Sequence, residues 1–343
     1  MGLQIGELVP KKEIRFDSLK GKVVAVDAYN ILYQFLTTIR QVDGTPLMDS
    51  KGRITSHLSG LFYRFTNLMR EGIKPVFVFD GEMPKLKHKE AASRQERKDR
   101  AQEKYEEAKK KKEHADMLKF AKQTTKLNKE NVEESKKLVH AMGLPYIQAP
   151  SEGEAQAAFI TKNGDAYATI SQDFDSLLFG SPRLIHNLTL AKKRKIAIGY
   201  VEVKPEMIEL KQVLQELKLD QEQLIILGVL IGTDYNPKGF KGIGPKKAIE
   251  LIHKYKNTKE IFSEAEKIAK EPIDFDPFEV IDVFKKIPLK KDYKIEFTKM
   301  NEQKIKDILC KEHDFSEERI NSALQKLEEA KEKQKQQDIG RFF

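Results

Sequence analysis

The chain is poor in cysteine, in tryptophan and in long apolar runs. Cys310 is the only thiol and there is no tryptophan in 343 residues. One thiol excludes an internal disulfide framework and a cysteine-built zinc site, and it suits a reducing intracellular compartment. The longest apolar run, 224–231, falls far short of the roughly 20 residues that cross a bilayer, so no membrane partner is expected. The opening MGLQIGEL lacks a basic-then-apolar leader pattern, and Gly6 stands where a myristoylation signal needs Ser or Thr.

What is abundant is charge. Charged residues make up 34% of the chain, against the usual roughly 25%, and the net charge is +9. Between Lys85 and Lys126 there are 15 Lys and Arg against 8 Asp and Glu. Most of the excess therefore lies in one segment, which points to a localised polyanion contact rather than to general solubility. High Lys and Glu content without tryptophan also leans toward a heat-adapted protein.

The apolar pattern alternates strand and helix. Residues 21–27 form a β-branched run closing on Asp27, a buried strand. Helices follow over 30–40 and 56–71, the second with Leu58, Leu61, Phe62, Phe65 and Leu68 on one face. KPVFVFD repeats the first pattern and ends on Asp80. The expected fold is α/β, a mostly parallel central sheet flanked by helices, whose ligands lie beyond the carboxyl ends of the strands. The charged segment 84–128 interrupts the alternation as a helical insertion directly after Asp80. Lys87 and Arg94, seven apart, share a helical face close to that acid. Further on, 183–203 reads as a hairpin turning at KKRK, 206–217 as a helix, and 315–336 as a charged helix.

The stretch 150–180 carries Glu152, Glu154, Asp173 and Asp175 around one helix and one strand. Four carboxylates brought together repel unless cations sit among them, and hard divalent cations such as Mg²⁺ take such oxygen ligands. Ser151-x-x-Glu154 also fits a capping box, so Glu154 has a purely structural alternative. One Asp after a strand is an ordinary turn residue. Three strands closing on acids, at Asp27, Asp80 and Asp173/Asp175, rarely arise by chance.

GFKGIGPKKA is neither a P-loop nor a dinucleotide fingerprint. It offers a tight turn with Pro245 at a helix start, exposed N–H groups, and Lys246 and Lys247 beside them: a helix–hairpin–helix-like phosphate grip. The chain ends QQDIGRFF, and a polar tail has no reason to end in two phenylalanines unless they anchor a partner.

Over nearly its whole length the chain resembles the flap endonucleases, the XPG-related structure-specific nucleases, of archaeal type. The resemblance rests on KVVAVDAYNILYQFL, TSHLSGLFYRF, KPVFVFDGEMPKLK, APSEGEAQAA, ISQDFDSLLFG, LIGTDYNPKGFKGIGPKKA and QQDIGRFF, in that order. It implies a metal cluster of Asp27, Asp80, Glu152, Glu154, Asp173, Asp175 and Asp234, holding two Mg²⁺ that Mn²⁺ can replace. It implies catalytic roles for Lys87, Arg94 and Asp175, and DNA contacts at Gly2, Tyr33, Lys87, Arg94, Gly242, Gly244, Lys246 and Lys247, with a monovalent cation at the hairpin turn. It also implies a sliding-clamp (PCNA) box at Gln336, Ile339, Phe342 and Phe343. The domain organisation it implies is a nuclease core over 1–330, with an arch at 84–128 and a duplex-binding region at 218–260, then a flexible tail at 331–343. The expected enzyme is a monomeric, intracellular endonuclease and 5′-exonuclease cutting 5′ DNA flaps in Okazaki fragment maturation and repair. It would be cytoplasmic and nucleoid-associated, or nuclear in a eukaryote.

Two other readings compete. Asp173-Phe-Asp175 after a strand fits an aspartyl-phosphate phosphatase of haloacid-dehalogenase type, which leaves the other acids and the basic insertion without a role. A non-catalytic, clamp-tethered DNA-structure binder leaves the acids unexplained altogether.

Overall fold

The computed structural model describes residues 3–41, 43–111, 116, 120, 124–189, 193–195, 200–269 and 271–339. In chain order the elements are β1 (Lys12–Glu13), β2 (Val23–Asp27), α1 (Ala28–Thr38), α2 (Ser56–Arg70), β3 (Lys74–Phe79), α3 (His88–Lys111), α4 (Lys129–Ala141), β4 (Tyr146–Gln148), α5 (Gly153–Lys162), β5 (Ala168–Ile170) and α6 (Asp175–Leu178). They continue with β6 (Arg183–His186), β7 (Lys193–Lys195), β8 (Tyr200–Glu202), β9 (Glu206–Glu209), α7 (Leu210–Leu217), α8 (Gln221–Ile231), α9 (Pro245–Lys254), α10 (Thr258–Ala269), α11 (Pro277–Lys286), α12 (Glu302–Lys306) and α13 (Glu317–Ile339).

Seven strands form one sheet in the order β1-β9-β6-β5-β2-β3-β4. The five strands from β6 to β4 run parallel, and β9 and β1 close one edge antiparallel. The mostly parallel sheet expected from the strand–helix alternation is therefore present. Alternate side chains of its central strands point to opposite faces. Phe77 and Phe79 pack with Val24, Val26 and the apolar sides of α1, α2 and α4, while Val76, Val78 and Ala25 pack with Ala157 and Ile160 of α5. Both faces of β2 and β3 are buried, which is why they are nearly continuous in apolar residues. Another core gathers α8, α9, α10 and α11 with the N-terminal Leu3, Ile5 and Val9.

A buried polar joint ties the loop after α1 to the C-terminal elements. His313 Nδ1 lies 3.0 Å from Asp49 Oδ2, and its Nε2 3.2 Å from Glu134 Oε1. Glu134 Oε2 is 3.3 Å from His57 Nε2, and Arg53 Nε is 2.7 Å from Asp49.

Several elements differ from the sequence reading. The basic Lys193–Lys195 is not a turn but β7, paired antiparallel with β8. β6 pairs with β5 and β9 instead of entering that hairpin. Residues 206–209 extend the sheet before α7 begins. A segment from α12 through a six-residue π-helix, Asp307–Glu312, went unforeseen. The final helix continues to Ile339, so the expected flexible tail is helical over 331–339. Lys, Gln and Glu are good helix formers, and the Gln334 side-chain amide donates to the Arg70 carbonyl at 2.8 Å. No described helix is long and apolar enough to cross a membrane.

Candidate active site

The carboxyl ends of β2, β3 and β5 open on a cleft of about 720 Å³. Asp27 closes β2 and caps α1, its Oδ1 accepting from the Asn30 N–H at 3.1 Å. Asp80 follows β3, and its Oδ1 accepts from the Gly153 N–H at 2.6 Å. Gly153 is required for that approach, since a Cβ there would stand 2.6 Å from Asp80 Oδ1. Glu152 occupies the cap position of α5, so the lead-in turn aims it into the cleft.

The capping-box alternative for Glu154 does not hold. Its Oε1 instead accepts from the Ser176 N–H at 2.7 Å, and the Ser151 hydroxyl donates to the Glu82 carbonyl. Asp173 accepts from Asn30 Nδ2 at 2.7 Å, and Asp175 from the Leu3 N–H at 2.7 Å. Asp234 arrives from the far core, just past Gly232 at the end of α8.

The electrostatics match this convergence. Burial, then repulsion from Asp80, raises Asp27 well above the usual carboxylate range. Burial and Glu152 push Asp80 up to about 7, and burial and Asp234 push Asp175 up to about 7. Glu154 is raised by burial and by Asp175. Asp234 moves down: burial would raise it, but Lys87 and Arg94 outweigh burial.

Both cations belong to the insertion. Lys87 lies in a 3₁₀ turn ahead of α3, and not on the same helix as Arg94. Its Nζ is 2.5 Å from Glu152 Oε2 and 3.3 Å from Asp234 Oδ2. Arg94 Nη2 is 2.6 Å from Asp234 Oδ1. Burial disfavours the Lys87 ammonium, yet Glu152 and Asp234 hold it charged beyond the ordinary lysine range.

Tyr33 also lines the cleft, with Lys98 Nζ 4.8 Å from its ring centre. On the other side of Asp173 a groove of about 980 Å³ is bordered by Gly244, Lys246, Lys247 and Lys11. Gly242, two residues before Gly244, has φ +79°, and beyond their chain neighbours neither glycine has an atom within 4 Å of where a Cβ would stand. Gln336 is exposed. Gly2, Phe342, Phe343 and the Ile339 side chain lie outside the described residues.

Three participants were missed. Asn30 bridges the Gln172 N–H and Asp173. Glu90 Oε1 accepts from Arg94 Nε at 3.0 Å and from Arg97 Nη2 at 2.6 Å. The Leu3 N–H reaches Asp175. Only Asn30, three residues after Asp27, had a local signal; the rest are contacts of folded topology or backbone.

Residues 4–101 match the XPG N-terminal domain and residues 143–234 the XPG I-region. The chain is 51% identical to flap endonuclease 1 of Pyrococcus abyssi, over 100% of this chain and 98% of that one. The chain belongs to the flap endonuclease family. The solved flap endonuclease-1 of Methanococcus jannaschii superposes with a TM-score of 0.74 at 41% identity, covering 96% of this chain and 98% of that one. A catalytic core of Rad2 in complex with DNA substrate superposes at 0.70 and 25% identity, over 95% and 100% of the two chains. Flap endonucleases of the XPG type are metal-dependent in general, and the donor set fits. All seven acids are hard oxygen donors, and several are buried so deeply that mutual repulsion shifts them. Among the described residues no three acids already stand at the spacing of a closed ion cage, while two of them hold Lys87 and Arg94 instead. Membership removes the phosphatase and non-catalytic readings.

Proposed function

We infer that the chain is a structure-specific flap nuclease, hydrolysing phosphodiester bonds of DNA. We propose that it cuts 5′ flaps at the junction of single strand and duplex, as endonuclease and 5′-exonuclease, with two Mg²⁺ in the cleft. The observation that carries this is the convergence of Asp27, Asp80, Glu152, Glu154, Asp173 and Asp234 on one cleft beneath two cations, with Asp175 buried close to Asp234 and Asp173. Those acids would hold the metal, which when bound supplies a nucleophilic water at neutral pH and charge stabilisation at the phosphoryl oxygens.

The chain's own residues do the rest. Backbone N–H groups of Asn30, Gly153, Ser176 and Leu3 fix the acids. Lys87 and Arg94 meet the negative charge of the phosphodiester as it builds, and Tyr33 gives a ring on which the neighbouring base stacks. The segment 84–128 serves as the arch for the 5′ strand. The region 218–260, with Gly242, Gly244, Lys246, Lys247 and a monovalent cation, grips duplex phosphates without reading sequence. Gln336, Ile339, Phe342 and Phe343 tether the monomeric enzyme to the sliding clamp. The Rad2 core solved with DNA substrate supports the DNA-binding half of this reading.

A labelled double-flap substrate tests it. Wild type with Mg²⁺ should cut at the junction, and chelator should stop it. Asp175→Ala should lower cleavage by about a thousandfold or more, since a metal ligand contributes several kcal/mol. Flap affinity should stay within about threefold, because phosphate contacts dominate it. An intact flap in Mg²⁺, or cleavage indifferent to chelator, would sink the reading.

A further inference from the structure

The seven acids fall into two groups. Asp27, Asp80, Glu154, Asp173 and Asp175 are each anchored by an N–H of the nuclease frame: Asn30 N, Gly153 N, Ser176 N, Asn30 Nδ2 and Leu3 N. These neutral donors pin one oxygen and leave the net charge of the cleft unchanged. Glu152 and Asp234 are engaged by full cations instead. Lys87 Nζ touches Glu152 Oε2 at 2.5 Å and Asp234 Oδ2 at 3.3 Å, and Arg94 Nη2 touches Asp234 Oδ1 at 2.6 Å. Both oxygens of Asp234 are therefore occupied. The grip is built, because Glu90 holds the Nε edge of Arg94 at 3.0 Å and so turns its other edge to Asp234.

An ammonium and a divalent cation cannot share an oxygen at these distances. A unit charge next to a dication costs several kcal/mol even when strongly screened. Resting on the metal reading above, we propose that Lys87 and Arg94 are internal counter-ions that compete with the divalent cations for Glu152 and Asp234. A phosphodiester entering the cleft draws both cations onto itself and hands the two carboxylates to the metal. Metal and flap then bind cooperatively, each tightening the other by the same factor. The positive charge that meets the phosphate is thus stored on the acids until the substrate arrives.

The test reads metal binding, not cleavage. Mn²⁺ is titrated into the full chain without DNA and free Mn²⁺ is followed by its electron paramagnetic resonance signal. Lys87→Met and Arg94→Gln, which remove the charge and keep an unbranched stem, should each bind Mn²⁺ at least about tenfold tighter than wild type. Lys87→Arg should stay near wild type. Lys98→Gln is the control for cleft charge in general, since Lys98 lies over Tyr33 rather than on an acid, and should change affinity by less than about twofold. A flap with a phosphorothioate junction should tighten the wild type about as much as Lys87→Met does. Unchanged or weaker binding in both charge-removing variants overturns the proposal. So does equal tightening in Lys98→Gln, or a flap that leaves wild-type affinity unmoved. Wild type showing no saturable Mn²⁺ binding at all removes the metal reading itself, and this proposal with it; saturable binding indifferent to Lys87 and Arg94 removes the proposal alone. Thermal denaturation of each variant confirms that it is folded.

Discussion

His313 shows how single side chains tie distant segments of this enzyme together. The Glu134 carboxylate, 3.2 Å from its Nε2, raises it against the opposing pull of burial, and the hydrogen-bonded Asp49 raises it further. Glu134, which burial alone would raise, is held at about 2 by His313 and His57. The signs give a window. A raised histidine stabilises fully below its unfolded value of about 6.5 and loses that contribution as pH rises through its folded value. A depressed carboxylate stabilises above its ordinary value and loses that contribution as pH falls through about 2. His57, lowered by burial, works against the joint on the acid side. Wild type should therefore be most stable between weakly acid and neutral pH. His313→Gln should cost about 1–2 kcal/mol at pH 6 and much less at pH 9. Parallel melting-temperature profiles of the two proteins across that range would contradict this.

The same scale explains what was legible in the cleft. Asp27, Asp80, Asp173 and Asp175 were visible because each closes or follows an apolar run, and a strand end is a local signal. The Leu3 N–H on Asp175 and the Asn30 amide on Asp173 span 172 and 143 residues of sequence, so nothing local marks them. The capping-box alternative for Glu154 failed because a partner on α6 won over its own helix start.

At the scale of elements, strong periodicity was enough. α2 shows its apolar face plainly, and β2 and β3 announce burial on both sides. Residues 206–209 were misjudged because a strand running straight into a helix has no breaker between them. Close helix contact was also invisible. At Gly60 of α2 a Cβ would lie 2.2 Å from the Phe35 ring of α1, well inside contact distance, so the two helices meet backbone to ring. Gly60→Ala gains helix propensity of about 1 kcal/mol but must push Phe35 aside within a filled core, at a cost of about 1–3 kcal/mol or more. Loss should prevail, seen as a lower urea midpoint with an unchanged slope. A midpoint at or above wild type would mean that the ring yields easily.

Taken whole, the molecule keeps its clustered acids apart from the exposed lysines of α9. The acids line the sheet's carboxyl edge, while Lys246 and Lys247 stand exposed on α9 across the neighbouring groove. If Lys87, Arg94, Lys246 and Lys247 each neutralise one phosphate, the slope of log affinity against log salt should be about −3.6, or roughly a hundredfold between 50 and 200 mM. Replacing Lys246 and Lys247 with alanine should flatten it by about 2. A slope unmoved by the double substitution would take the α9 turn out of duplex binding.

The order of the acids along the chain has one more consequence. Asp27 and Asp80 come early, Glu152 to Asp175 in the middle, and Asp234 from a different core, 207 residues after Asp27. Synthesis at about 5–20 residues per second takes ~10–40 s to cover that distance. Throughout it the nascent chain emerging from the ribosome carries an incomplete set of the cleft's acids. The seven carboxylates of the cleft therefore cannot come together until translation has passed Asp234.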